Sequence, residues 1–208
     1  MRYSFPMIMP IAIEKLWQKI TRWYYKCSTA YLAWLWGVKY GRQLVFLGKT
    51  IIRTRHPGEI VLGDNVMFNA QRNTNLVGLL GPTIIDTRGG GKIEIGNHSG
   101  FSSVVMSSRT SIRIGNHVKV GGNARIFDHD FHSLEADYRR SSKDMDHIRS
   151  KPIVIEDDCF IGANAIILKG THLGPRVMVA AGSVVFGLAA PADSLVKGNP
   201  AVVVKKGG

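Results

Sequence analysis

Residues 155–190 read IEDDCFIGANAIILKGTHLGPRVMVAAGSVVFGLAA. An aliphatic residue returns at every sixth position, as Ile155, Ile161, Ile167, Leu173, Val179 and Val185. Four places after each stands a small or modest one: Cys159, Ala165, Thr171, Val177, Ser183 and Ala189. A period of six matches neither the 3.6 of a helix nor the 2 of a lone amphipathic strand. It matches a solenoid of short strands joined by tight turns, about 18 residues to a three-stranded coil, with one aliphatic side chain per strand pointing into a triangular core. A β-sandwich would not hold that phase through six successive repeats, so the sequence predicts an all-β solenoid.

The same phrase recurs upstream as Leu62-Gly63-Asp64-Asn65-Val66, Ile95-Gly96-Asn97-His98-Ser99, Ile114-Gly115-Asn116-His117-Val118 and Val120-Gly121-Gly122-Asn123-Ala124. Gly, Asn and Asp suit corners because they tolerate positive φ. By this reading His98 and His117 are corner residues without a catalytic role. The spacing also locates interruptions. Leu62 to Ile95 is irregular, with Gly89-Gly90-Gly91 marking a loop, and Ile114 to Ile155 carries more residues than one coil needs. That excess is the polar stretch 127–152, FDHDFHSLEADYRRSSKDMDHIRSKP. A loop of this length thrown out of a regular solenoid is expected to carry function.

The 208 residues are 45% hydrophobic, which excludes global disorder, and two cysteines (Cys27 and Cys159) support neither a disulfide scaffold nor a thiolate zinc site. The formal charge of +12 is unevenly placed: residues 1–55 hold ten Lys or Arg and a single acid, Glu14. The rest of the chain is nearly balanced, which argues against nucleic acid as a partner, since such a protein spreads basic charge over its working face. Ile13, Leu16, Trp17, Ile20, Tyr24, Cys27, Tyr31, Trp34 and Leu35 follow a helical rhythm, so residues 1–57 read as a basic, amphipathic helical segment and 58–208 as the solenoid with its inserted loop at 127–152. Two readings of the helix stand, packing on the domain or a neighbouring subunit and lying on an anionic membrane surface. Its longest apolar run is too short to span a bilayer, and Pro6 and Pro10 interrupt the opening run, which argues against a signal peptide. The expected location is the cytoplasm, with peripheral contact on the inner face of the membrane as the second reading.

The repeat, the loop phrase Asp128-His129-Asp130-Phe131-His132-Ser133-Leu134 and the closing phrase Gly198-Asn199-Pro200-Ala201 together resemble the hexapeptide-repeat acyltransferases, in particular the branch that O-acetylates sugars and surface polysaccharides. The resemblance covers about residues 58–204. It implies a left-handed parallel β-helix, a homotrimer, acetyl-CoA lying between neighbouring subunits, and a loop histidine as catalytic base. His132 is the first choice, because His-Ser-Leu-Glu is similar to the His-Pro-Leu-Asp phrase of sugar acetyltransferases. His129 is the rival, and Asp130 or Asp128 is the expected orienting carboxylate. The resemblance further implies acetyl-CoA along Phe160, Gly162 and Ala163 and along Ala181 and Gly182, with Lys197, Lys205 and Lys206 toward its phosphates and Pro200 in the closing phrase. This chain departs from the pattern at Phe160 in place of Trp, at Phe186-Gly187 in place of Thr-Lys, and at Ser102-Ser103 near the place of an Asn.

The chemistry of the residues agrees. A thioester is already activated, so transfer to a sugar hydroxyl needs a base near neutrality, which histidine supplies, a carboxylate to fix its tautomer, and N–H groups or a small polar side chain for the oxyanion. No metal is expected. Two other readings remain: a non-catalytic scaffold or membrane-surface module, and a carbonic anhydrase on the same solenoid. The latter needs three histidines on rigid adjacent coils, which His129 and His132 on one loop suit poorly.

Overall fold

A computed structural model describes residues 8–72 and 75–204. After one long helix, α1 (Ile8–Leu35), the chain winds into a triangular prism with three sheets as its faces. One sheet stacks Lys39–Tyr40, Ile60–Leu62, Lys92–Ile95, Ser111–Ile114, Ile153–Ile155, His172–Leu173 and Ala189–Ala190. The second stacks Val45–Gly48, Met67–Ala70, Gly100–Phe101, Lys119–Val120, Phe160–Ile161, Met178–Val179 and Leu195–Gly198. The third stacks Thr50–Arg53, Thr83–Asp86, Val105–Ser107, Arg125–Phe127, Ile166–Leu168 and Val184–Val185. Neighbouring strands are parallel throughout, in register so that Ile114 meets Ile155 and Ile126 meets Ile167. The last strand, Ala201–Val204, folds back antiparallel on Leu195–Gly198 and ends the stack.

The six-residue phase becomes the core. Ile155, Ile161, Ile167, Leu173, Val179 and Val185 are all buried, one per face in turn. Of the residues four places on, Cys159, Ala165, Thr171, Val177 and Ser183 are buried at the corners, but Ala189 is exposed in register with His172, and Ala190 is the first-face core residue in register with Leu173. The frame slips by one there because the final coil is one residue shorter. Toward the other end the second face widens to hold a column of rings: Phe46 and Phe68 lie 5.1 Å apart, and Phe68 stacks on Phe101 at 4.7 Å.

The recurring Gly-Asp/Asn pair has a specific cause. At the corner between the first and second faces, each Asx side-chain oxygen accepts the backbone N–H of the equivalent residue in the previous coil. The ladder runs Arg42 to Asp64 (2.7 Å), Asp64 to Asn97 (2.7 Å), Asn97 to Asn116 (2.8 Å) and Asn116 to Asp157 (2.7 Å). Each bond satisfies an N–H that the turn leaves outside the sheets. The preceding glycine leaves room for it: a Cβ on Gly63 would lie 2.5 Å from Asn97 Oδ1, and one on Gly115 2.2 Å from Asp157 Oδ1. The residue after the Asx has positive φ, and His98 (60°) and His117 (57°) stand in that column, rings stacked at 4.9 Å.

Two boundaries differ from the sequence reading. The solenoid begins at Lys39, inside the stretch 1–57 read as a helical segment, because Val45–Gly48 and Thr50–Arg53 already pair with the second coil. The surplus between Leu62 and Ile95 lies mainly in a loop between Ala70 and Thr83. Gly89-Gly90-Gly91 forms a turn, whose glycines let the Ser108–Arg109 turn of the next coil pack within 3.2 Å of a Cβ at Gly89 or Gly91.

Helix α1 closes the open first coil with one short patch. Thr29 and Ala33 are buried against it, and Leu32 and Trp36 pack on the core from its edge. Thr29 Oγ1 accepts the Phe46 N–H at 2.9 Å and so satisfies a buried donor at the first coil. Gly37, at φ 59°, ends the helix by letting Val38 N–H return to Ala33 O at 2.8 Å.

Candidate active site

The excursion between Phe127 and Ile153 is an ordered structure with a neck and a head. At the neck, Asp130 N–H donates to Arg149 O (3.0 Å), Lys151 N–H donates to Asp128 O (2.8 Å), and His129 bridges Ser150 antiparallel. The head holds a short helix, α2 (Ala136–Arg139), and a single 3-10 turn at Asp144–His147, joined by stacked Tyr138 and His147 rings. Arg109, from the coil beneath, donates to Met145 O at 2.7 Å.

Three of the acids in this region serve three different purposes. Asp128 is fully buried, and its carboxylate accepts Ser108 Oγ (2.7 Å), Arg109 N–H (2.7 Å) and Thr110 N–H (2.8 Å), with His129 Nδ1 at 3.0 Å. Burial pushes this carboxyl up, but the bonds from His129, Arg109, Ser108 and Thr110 together outweigh it and hold the group below its ordinary range. Asp128 thus clamps the turn of the neighbouring coil. Asp130 forms a close ion pair with Lys169, whose ammonium also sits 5.0 Å from the Phe186 ring centre. Asp144 Oδ2 lies 2.6 Å from His132 Nδ1 while Oδ1 accepts the Ser133 N–H at 2.7 Å. Those two bonds, His132 first, hold Asp144 below the usual carboxylate range.

The two histidines therefore differ. The His129 side chain is 9% exposed, pressed against Phe131 at 4.8 Å. His132 is 66% exposed, and among the described residues no hydrogen bond engages its Nε2. The carboxylate beside His132 is Asp144; Asp130 and Asp128 are occupied elsewhere. Nothing in the sequence marks Asp144, because its distance from His132 is set by the fold of the loop head. Lys169 was equally hidden, as one polar residue at a coil corner.

The residues expected at the cofactor sit on another corner. Phe160 is half-exposed and lines a cleft of about 410 Å³ with Met67, Asn75, Ser102, Lys119 and Gly121, within the size range of small-molecule sites. Asn75, from the loop after Ala70, donates to Ser102 Oγ at 2.9 Å and so ties that loop to the cleft wall. Ala163, Ala181 and Gly182 follow along the same corner. Gly162 is buried between coils, where a Cβ would meet Ala181 N at 2.4 Å, so stacking alone requires glycine there. Lys197 and Pro200 are exposed near the antiparallel end of the solenoid, and Lys205 and Lys206 lie outside the described residues. The excursion leaves the third face and returns to the first, whereas the Phe160 cleft lies where the second face turns toward the third. One chain thus keeps its loop histidines and its cleft at different corners.

Among the described residues no cluster of three His, Cys, Asp or Glu could hold a metal ion. Burial pushes the Cys159 thiol up to about 11, which removes it from thiolate chemistry.

The model of the hexapeptide repeat of succinyl-transferase matches residues 152–186. A 2,3,4,5-tetrahydropyridine-2,6-dicarboxylate N-acetyltransferase of Staphylococcus aureus is 47% identical over 57 residues, 27% of this chain; the match spans about a quarter (23%) of that relative's length. An N-acyltransferase from Bacillus cereus, solved with dTDP-4-amino-4,6-dideoxyglucose and coenzyme A, superposes with a TM-score of 0.67 at 16% identity, covering 85% of this chain and 87% of its own, which shows the shared left-handed β-helix. A hexapeptide-repeat-containing acetyltransferase of Vibrio cholerae O1 biovar eltor, solved with acetyl coenzyme A, is 30% identical with a TM-score of 0.52, over 79% of this chain and 70% of that one. Identity at that level across so much of both molecules settles the kinship: the chain belongs to the hexapeptide-repeat-containing acetyltransferases.

Proposed function

We propose that the protein transfers an acetyl group from acetyl-CoA to a hydroxyl of a sugar or glycan, with His132 as general base. The observation that carries this reading is the His132–Asp144 pair. Asp144 stays ionised at neutral pH and accepts the Nδ1 proton, so the lone pair stays on the outward-facing Nε2. The hydroxyl gives its proton to Nε2 as its oxygen attacks the thioester carbon. The tetrahedral oxyanion collapses, the C–S bond breaks, and the imidazolium returns the proton to the departing coenzyme A thiolate. Ser102, facing the cleft, and nearby backbone N–H groups are the candidate oxyanion donors.

Acetyl-CoA would lie along Phe160, Ala163, Ala181 and Gly182 toward Lys197 and Pro200, with Gly162 keeping these coils in contact. The separation of loop and cleft within one chain supports a homotrimer in which the excursion of one subunit faces the cleft of the next. The acceptor is read as a glycan of surface polysaccharide or lipopolysaccharide biosynthesis, met at the inner face of the membrane. A second reading places the base at His129, favoured by its contact with the buried Asp128 carboxylate. Against it, His129 is enclosed, and Asp128 is fully engaged in holding the Ser108–Thr110 turn.

The test is thiol release from acetyl-CoA with a panel of sugars, nucleotide sugars and lipid-linked glycans. Acceptor-dependent release, lowered by about 10²–10⁴-fold in His132→Ala at unchanged oligomeric state, is the expected result. Full turnover by His132→Ala would remove the proposed base, and silence toward every acceptor would favour a scaffold.

A further inference from the structure

Helix α1 turns its largest apolar side chains away from the protein. The patch that seats it on the solenoid is small and lies near its C-terminal end, at Thr29, Leu32, Ala33 and Trp36. With 3.6 residues per turn, Trp17, Ile20, Trp23, Tyr24, Tyr31 and Trp34 fall within one arc of about 120° on the opposite side. All six are more than half exposed, up to 77% at Trp34. All four tryptophans of the chain lie between residues 17 and 36, and none is in the later coils. The helix carries Lys15, Lys19, Arg22 and Lys26 against one acid, Glu14, and Lys15 and Lys19 are exposed. Among the described residues, no helix is long and apolar enough to cross a membrane.

A contiguous aromatic stripe of this kind marks an interaction surface. Its chemistry points to one occupant. Tryptophan and tyrosine rings are most at home at the boundary between headgroups and acyl chains, and clustered lysines and arginines are attracted to anionic lipid. Lys15 and Lys19 fall outside that arc, on the polar side of the helix, the arrangement of an amphipathic helix lying in an anionic interface with its aromatic face down.

We infer that the outer face of α1 docks the protein peripherally on an anionic lipid bilayer, with Trp17, Ile20, Trp23 and Trp34 entering the interface and Lys15 and Lys19 at headgroup level. This deepens the membrane-presented acceptor of the preceding section, yet its test needs neither acetyl-CoA nor an acceptor, so either reading can fail without the other. Full-length protein is mixed with vesicles of phosphatidylcholine alone, or containing phosphatidylglycerol, and followed by co-sedimentation and by tryptophan emission, which reports on this segment alone. Binding to the phosphatidylglycerol vesicles should exceed binding to neutral ones by at least about tenfold, with a blue shift and a strong loss in high salt, since each basic side chain near such a surface is worth about fivefold. Trp17→Glu/Trp23→Glu and, separately, Lys15→Glu/Lys19→Glu should each lose about tenfold or more while the thermal transition is kept. Equal, weak sedimentation with both vesicle types would overturn the inference. So would a Trp17→Glu/Trp23→Glu variant that dissociates in sedimentation velocity while its vesicle binding is unchanged, which would give the face to a second copy.

Discussion

Replacing Asp128 by alanine removes the one acceptor shared by three donors from the neighbouring coil, Ser108 Oγ and the N–H groups of Arg109 and Thr110. A buried donor left without a partner costs about 1–3 kcal/mol. The Ser108 hydroxyl keeps its bond to Lys92 O, and Thr110 is exposed enough for water to reach it, so the lower end applies to two of the three. The sum is about 3–5 kcal/mol, a large fraction of the stability of an ordinary domain. The assay is urea unfolding of wild type and Asp128→Ala at equal protein concentration. The midpoint should fall sharply while the slope is kept, and His129→Ala, which leaves all three donors satisfied, should lower it much less. The pH dependence carries a matching sign. A carboxyl whose folded pKa lies below its ordinary 3.8 stabilises the fold above that value, and the contribution disappears as pH falls below it. Wild type should therefore lose its advantage over Asp128→Ala in that acid window. A change below about 1 kcal/mol at neutral pH would show that Asp128 does not hold the turn.

Other substitutions probe the stacking, the core and the base. Gly162→Ala places a Cβ 2.4 Å from Ala181 N and should cost about 1–3 kcal/mol, seen as a clearly lower thermal midpoint. Gly182→Ala meets open space and bears only the strain of φ 71°, about 1 kcal/mol, so the order of the two midpoints in calorimetry separates packing from backbone strain. Phe68→Ala empties the centre of the ring column and should cost about 3–5 kcal/mol by urea titration, most of it as cavity. Asp144→Asn removes the carboxylate that holds His132 Nδ1 and orients its ring. kcat/KM should drop by about tenfold or more with the Kd for acetyl-CoA unchanged, whereas a purely structural Asp144 would lower the unfolding midpoint and leave the turnover of the folded protein in place.

The solenoid was legible because its core demands one aliphatic residue every sixth place, and Ile155 through Val185 announce that demand without interruption. The loop at 127–152 was legible as the gap in that rhythm. What escaped was set by contacts between segments distant in sequence. The first coil lacks the Gly-Asx phrase and takes its corner bond from Arg42, so its strands were absorbed into the helical segment. The apolar stripe of α1 was correctly periodic, but periodicity alone cannot say which side faces protein. The fold seats the helix on Thr29 and Ala33, the smaller residues. The loop phrase that carries the resemblance points to Asp130 or Asp128 beside His132, yet the neck turns both toward the solenoid while the head brings Asp144 back from twelve residues away. The resemblance places Gly162 along acetyl-CoA, yet the packing of the next coil already accounts for a glycine there.

The central claim is that an exposed imidazole on the excursion removes a proton from an alcohol beside a bound thioester. The direct measurement is kcat/KM for acetyl transfer in His132→Ala and His129→Ala, alongside the Kd for acetyl-CoA in each. His132→Ala should lose about 10²–10⁴-fold in kcat/KM with its acetyl-CoA affinity intact, and His129→Ala should fall far less. The reverse order, with His129→Ala inactive and stably folded while His132→Ala turns over normally, would contradict it.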